Sequence, residues 1–182
     1  MRKPIILLAA LTAAAVAATG AAASTHHRQA RTVVIKAVSG MKMVPNKYFA
    51  DEMHFAPGTI TVRSGDSITF EFAGKQTEPH TLTIVPRAQL PKTAEQAEQC
   101  AACRLATPHL KNPKAEPGPG NPIVHWVLDK GKPGLDTVGD SIAIQPGGPH
   151  KSITIQVSAK AGTTLYYLCA VHPWMQGKII VR

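Results

Sequence analysis

The stretch Tyr166-Tyr167-Leu168-Cys169-Ala170-Val171-His172-Pro173-Trp174-Met175-Gln176-Gly177 decides how the rest of the chain is read. Between Cys169 and Met175 it offers a thiol, an imidazole and a thioether. The apolar run that ends at Cys169 and the run Lys178 to Val181 that follows Gly177 read as two strands. A tight loop between them turns all three side chains toward one point. Thiolate and thioether are soft ligands and imidazole is borderline, a set that suits copper in either oxidation state. A trigonal site of this type takes a second imidazole from another part of the chain. His80 is the candidate, because it follows Glu78 and Pro79 and opens the apolar run Thr81 to Val85, at a strand end where a loop can present it. The expected metal ligands are therefore His80, Cys169 and His172 in a plane, with Met175 as a weak, long axial ligand.

Working outward, the chain reads as short strands. Arg31 to Val38 is rich in Val and Ile, while Thr59 to Arg63 and Ser67 to Phe72 alternate apolar with polar residues. Ser64, Gly65 and Asp66 separate the last two, which reads as a hairpin. Thr81 to Val85, Ser141 to Gln145, Ser152 to Val157, Thr163 to Leu168 and Lys178 to Val181 continue the pattern between Gly, Pro and Asp turn residues. Seven or eight such strands predict an all-β chain, a Greek-key β-sandwich or barrel. From about residue 86 to 149 the pattern loosens into an insertion. Thr93 to Leu105, rich in Ala, Glu and Gln, predicts one short helix. Pro108, Pro113, Pro117, Pro119 and Pro122 then impose an irregular loop. The insertion is expected to cover one end of the sandwich.

With these residues in place, the sequence resembles the cupredoxin family, the small blue copper proteins. The resemblance is carried by "FAPGTITVRSGDSITFEF" over residues 55–72, which looks like the family's early hairpin, by "PHTLTIV" from Pro79, and by residues 139–181. The spacing CxxHxxM is similar to the short ligand loop of the amicyanin type. The resemblance implies one copper ion, single-electron transfer between redox partners and no enzymatic activity. It gives Cys169, His172 and Met175 the loop ligand roles and His80 the upstream one. It also makes His172 the electron exit, with Pro173 and Trp174 beside it on a patch where partners dock; the alternative for Trp174 is packing beneath the loop. Many family members carry Asn or Ser after the upstream His, where its side chain ties the two ligand loops together. Here Thr81 stands in that place, and its hydroxyl can make part of the same bond.

At the N-terminus, Arg2 and Lys3 precede the apolar run Ile5 to Ala18 and the small residues up to Ala21-x-Ala23. This order predicts a cleaved signal peptide over residues 1–23. The run is Ala-rich and shorter than the roughly 20 apolar residues of a membrane span, so stable membrane insertion is not expected. Residues 24–182 then form one domain, a periplasmic or secreted monomer. Lys and Arg number 20 against 11 Asp and Glu, a formal net charge of +9. The basic residues are scattered without a dense run, which argues against nucleic acid and fits acidic redox partners.

Three further features leave alternatives open. Cys100 and Cys103 form a CAAC motif, read as a disulfide in an oxidising compartment that leaves Cys169 free for metal; a second soft-metal site with His109 is the alternative. Arg104 follows Cys103 where haem attachment needs His. Cleavage after Ala23 or Ser24 places His26 or His27 third in the mature chain, a square-planar copper(II) set if not a solvated tail. Met41, Met43, Met53 and His54 give some support to copper binding or delivery as an alternative to electron transfer, although Met41 and Met43 alternate as strand residues do. No His-x-His pair, GxSxG elbow or HExxH motif occurs, so neither a multicopper enzyme nor a hydrolase is indicated.

Overall fold

The computed structural model describes residues 29–115 and 120–182. The expected signal peptide over residues 1–23, His26, His27 and residues 116–119 lie outside the described residues. The strands are β1 (Thr32–Val38), β2 (Met41–Val44), β3 (Tyr48–Asp51), β4 (His54–Ala56), β5 (Thr59–Val62), β6 (Ser67–Ala73) and β7 (His80–Val85). After the inserted segment come β8 (Val127–Leu128), β9 (Ser141–Ile144), β10 (Ser152–Gln156), β11 (Thr164–Leu168) and β12 (Gln176–Val181).

Two sheets face each other as a β-sandwich, one in the order β10-β6-β1-β4 and the other β5-β12-β11-β7-β9-β8. The β1–β6 and β5–β12 pairs are parallel and the rest antiparallel. The core between them comes from alternate residues: Ile35 and Ala37 from β1, Ile68 and Phe70 from β6, Leu82 and Ile84 from β7, Ile142 and Ile144 from β9. Phe55 meets the Phe70 and Tyr167 rings edge-on at centroid distances of 5.8 and 5.0 Å. Each such fully buried side chain contributes about 1.5 to 3 kcal/mol over its exposed state.

The run from Thr59 to Phe72 is not a hairpin. β5 pairs with β12 in one sheet and β6 with β1 and β10 in the other, so the turn at residues 64–66 carries the chain across the sandwich. Asp66 holds that turn, its carboxylate accepting from the backbone N–H groups of Arg31 and Arg63 at 3.0 and 2.9 Å. A hairpin and a crossing arch bury the same alternate residues, Ile60, Val62, Ile68 and Phe70. Alternation alone does not distinguish them.

The remaining differences lie in small elements. β2 and β3 form a separate two-stranded hairpin, and β4 and β8 are strands too short to show in composition. β9 belongs to the six-stranded sheet, so the insertion ends before Ser141 rather than at residue 149. The one short helix expected within Thr93 to Leu105 is α1 (Ala94–Glu98), shorter than that span and capped where Thr93 Oγ1 accepts from Gln96 N–H, and a 3₁₀ helix from Ala102 to His109 follows it. The paired sulfurs of Cys100 and Cys103 span the break between them. No helix among the described residues is long and apolar enough to cross a membrane.

The insertion packs Ala102, Leu90, Leu105, Cys100 and Cys103 against Val85, Leu168 and Ala170. It covers the outer face of the sheet beside the Cys169 loop, where the sequence predicts that it covers one end of the sandwich.

Candidate metal centre

β7 and β11 lie side by side, with Leu168 opposite Thr83, and this register brings Cys169 beside the start of β7. The loop beyond is closed on itself: Cys169 N–H donates to the Met175 carbonyl at 3.0 Å and Met175 N–H to the His172 carbonyl at 2.9 Å. Gly177 makes the return strand possible. A Cβ there would overlap both the Tyr167 ring and the Gly58 carbonyl.

His80, Cys169 and His172 come together from these elements. Cys169 Sγ lies 3.7 Å from His80 Nδ1 and 3.7 Å from His172 Nδ1, and the two nitrogens are 3.2 Å apart. A point equidistant from the three atoms is about 2 Å from each, the length of a metal–imidazole bond and slightly under a metal–thiolate bond. His80 and Cys169 are fully buried and His172 is 5% exposed. Met175 is fully buried in the same core as Cys169.

The protonation pattern fits a metal as well. Glu78 Oε2 lies 2.7 Å from His172 Nε2, and a carboxylate can only accept, so Nε2 carries the proton and Nδ1 turns its lone pair to the centre. Burial pushes the His80 imidazole down to about 4, with the neighbouring His172 as the lesser cause. The neutral ring is the form that binds metal. His80 Nε2 is buried without a hydrogen-bond partner among the described residues, which leaves its ring held by packing, including the Phe72 edge at 5.9 Å. Burial also raises the Cys169 thiol, against the pull of N–H groups from Thr81, His172 and Val171. The Thr81 N–H reaches the sulfur at 3.4 Å, while Thr81 Oγ1 accepts from Ala170 N–H at 2.8 Å. Thr81 therefore does tie the two ligand segments together.

Other expected residues fall elsewhere. The sulfurs of Cys100 and Cys103 are paired with each other, and His109 is bonded to Ser141 and the His125 carbonyl, so these three do not form a second soft-metal site. Met41 and Met43 are 71% and 69% exposed on the β2–β3 hairpin rather than packed, and His54 is exposed. Met53 is packed against the core. Trp174 is 44% exposed and stands edge-on to the His172 ring at 5.4 Å rather than beneath the loop. It lines an open groove with Pro173, Ala170, Lys92 and Arg104, between the ligand loop and the insertion.

Sequence reasoning missed Glu78. The only sign of it was its place two residues before His80, on the turn that delivers that ligand.

Comparison with known proteins returns structural likenesses only. No protein-family model matches the chain, and no curated protein matches it. Among solved structures it is similar to a mutant plastocyanin of fern, at 16% identity over 82% of this chain and 100% of that one, with a TM-score of 0.39. It is similar to a purple cupredoxin from Nitrosopumilus maritimus, at 12% identity over 82% and 98%, with a TM-score of 0.42. Auracyanin A, a "blue" copper protein from Chloroflexus aurantiacus, is 21% identical over 83% and 99%, with a TM-score of 0.40. At this level the likenesses carry no weight of their own, and the centre stands on the geometry of its side chains.

Proposed function

We propose that this chain is an exported, single-domain type 1 copper protein that carries single electrons between redox partners. The observation that carries the reading is the buried triangle of Cys169 Sγ, His80 Nδ1 and His172 Nδ1, whose edges of 3.2 and 3.7 Å match one small soft-metal ion. His80, Cys169 and His172 would hold the ion, with the Met175 thioether as a fourth, weaker donor. Copper held this way changes oxidation state by one electron. The protein's own part is to keep its ligands where neither state demands rearrangement. Two backbone bonds close the Cys169–Met175 loop, Thr81 links it to β7, and Glu78 fixes the His172 ring.

Electrons leave by His172, the one ligand whose ring reaches the surface zone through Trp174 and Glu78. The groove beside Trp174 receives the partner through a small, transient interface. Lys92 and Arg104 at its edge and the basic net charge favour an acidic one. A delivery protein needs an open site from which the ion can leave, and burial of all three ligands speaks against that role. Residues 1–23 direct export and are removed, which suits a disulfide between Cys100 and Cys103.

Copper(II) added to the purified mature protein produces an intense red absorption band that ascorbate bleaches and that Cys169→Ser abolishes. A colourless wild-type protein sinks the electron-carrier reading.

A further inference from the structure

β7 reads Thr81-Leu82-Thr83-Ile84, the alternation of a strand with one face in the core and one in water, yet all of it is buried. The insertion covers the outer face, and it meets the threonines with a histidine. His109, 1% exposed, places Nδ1 against the His125 carbonyl and Nε2 2.7 Å from Ser141 Oγ. Ser141 Oγ lies 2.7 Å from Thr83 Oγ1, which lies 3.0 Å from Thr81 Oγ1. The hydroxyls are buried with it.

The two ends of this chain fix the direction of every proton in it. The His125 carbonyl can only accept, so His109 Nδ1 carries the hydrogen. Burial holds the imidazole neutral, with its pKa down at about 4, so Nε2 accepts. Ser141 must then donate to His109, Thr83 to Ser141 and Thr81 to Thr83, which leaves the Thr81 oxygen open to accept the Ala170 N–H. Bonds aligned this way in a buried chain polarise one another.

We infer that His109 is a positioning residue for the Cys169 centre, acting through Ser141 and Thr83 to hold Thr81 in register with Ala170 and with the Cys169 sulfur. The inference deepens the copper reading and rests on it for its purpose. It also gives the insertion a role, that of closing the outer face of β7 with the one group that completes the chain.

The test is amide hydrogen exchange in the copper-free full chain, with nitrogen chemical shifts of the His109 ring. In the wild type the ring carries its proton on Nδ1. Ser141→Ala removes the middle of the chain and is expected to speed exchange at Ala170 at least tenfold relative to the amides of β1 and β10 in the opposite sheet. Ser141→Thr, which keeps the hydroxyl, restores slow exchange, and His109→Phe behaves like Ser141→Ala. Unchanged exchange at Ala170, an equal rise in every strand, or a proton on Nε2 each overturns the inference. Copper takes no part in this readout. Absence of the red band in a wild-type protein that shows the local exchange response defeats the copper reading and leaves the link from His109 to Ala170 standing.

Discussion

Glu78 lies on the turn before β7 and meets His172 from the solvent side, at 2.7 Å from the nitrogen that faces away from the centre. A carboxylate in this position orients the ring and adds negative charge near the ion, which favours the more positive oxidation state. Glu78→Gln keeps an acceptor for the Nε2 proton and removes the charge. Because Glu78 is half exposed, the effect is screened: the reduction potential is expected to rise on the order of 30 mV, or about 0.7 kcal/mol for one electron. Voltammetry of the copper-loaded variant checks it, and an unchanged or lower potential removes Glu78 from the account. That Cys169 and His172 lie together was legible because soft donors at short spacing on one loop are rare, and the structure sets His80 beside them. Glu78 was not, since one carboxylate among the acidic residues of a chain acquires meaning only from what it faces.

At the scale of elements, the loop that carries Cys169, His172 and Met175 depends on how closely β12 approaches its neighbours. Gly177 lies opposite Tyr167 in the β11–β12 register and under the Gly58 carbonyl. The obstacle to a side chain is backbone and a buried ring, neither of which can swing aside. Gly177→Ala is expected to destabilise the fold by about 2 to 4 kcal/mol, read as a lower midpoint in chemical denaturation. It should also shift the red band of the copper form, because the strand it displaces begins one residue after Met175. A variant with wild-type midpoint and spectrum contradicts the packing described. The strands themselves were largely legible from alternation. Their partners were not, as β5 and β6 show: Asp66 and the turn around it serve an arch as readily as a hairpin, and only the pairing of β5 with β12 and β6 with β1 separates the two.

For the whole molecule, buried neutral histidines give stability a direction with pH. His109 titrates at about 4 when folded against 6.5 ordinarily. Below pH 6.5 the unfolded chain binds a proton that the folded chain refuses, so stability falls as pH drops toward 4 and then levels, a loss on the order of 3 kcal/mol. His80 adds to the same slope in copper-free protein. Asp66 acts lower down: the Arg31 and Arg63 N–H groups hold its pKa under 3.8, and that contribution is lost as pH falls further. Denaturation midpoints of copper-free protein from pH 7 to 4 should decline, and His109→Gln should flatten the decline; parallel profiles for the two proteins would refute the assignment to His109. By itself the sequence determined the all-β character and the kinds and order of the donor residues available to a metal, because alternation and donor chemistry are local properties of residues. Only the tertiary structure decided which strands share a sheet, where the inserted segment lies and why Thr81, Thr83 and Ser141 are buried. Those outcomes depend on which surfaces meet across many intervening residues, and nothing local to a threonine says whether water or His109 will face it.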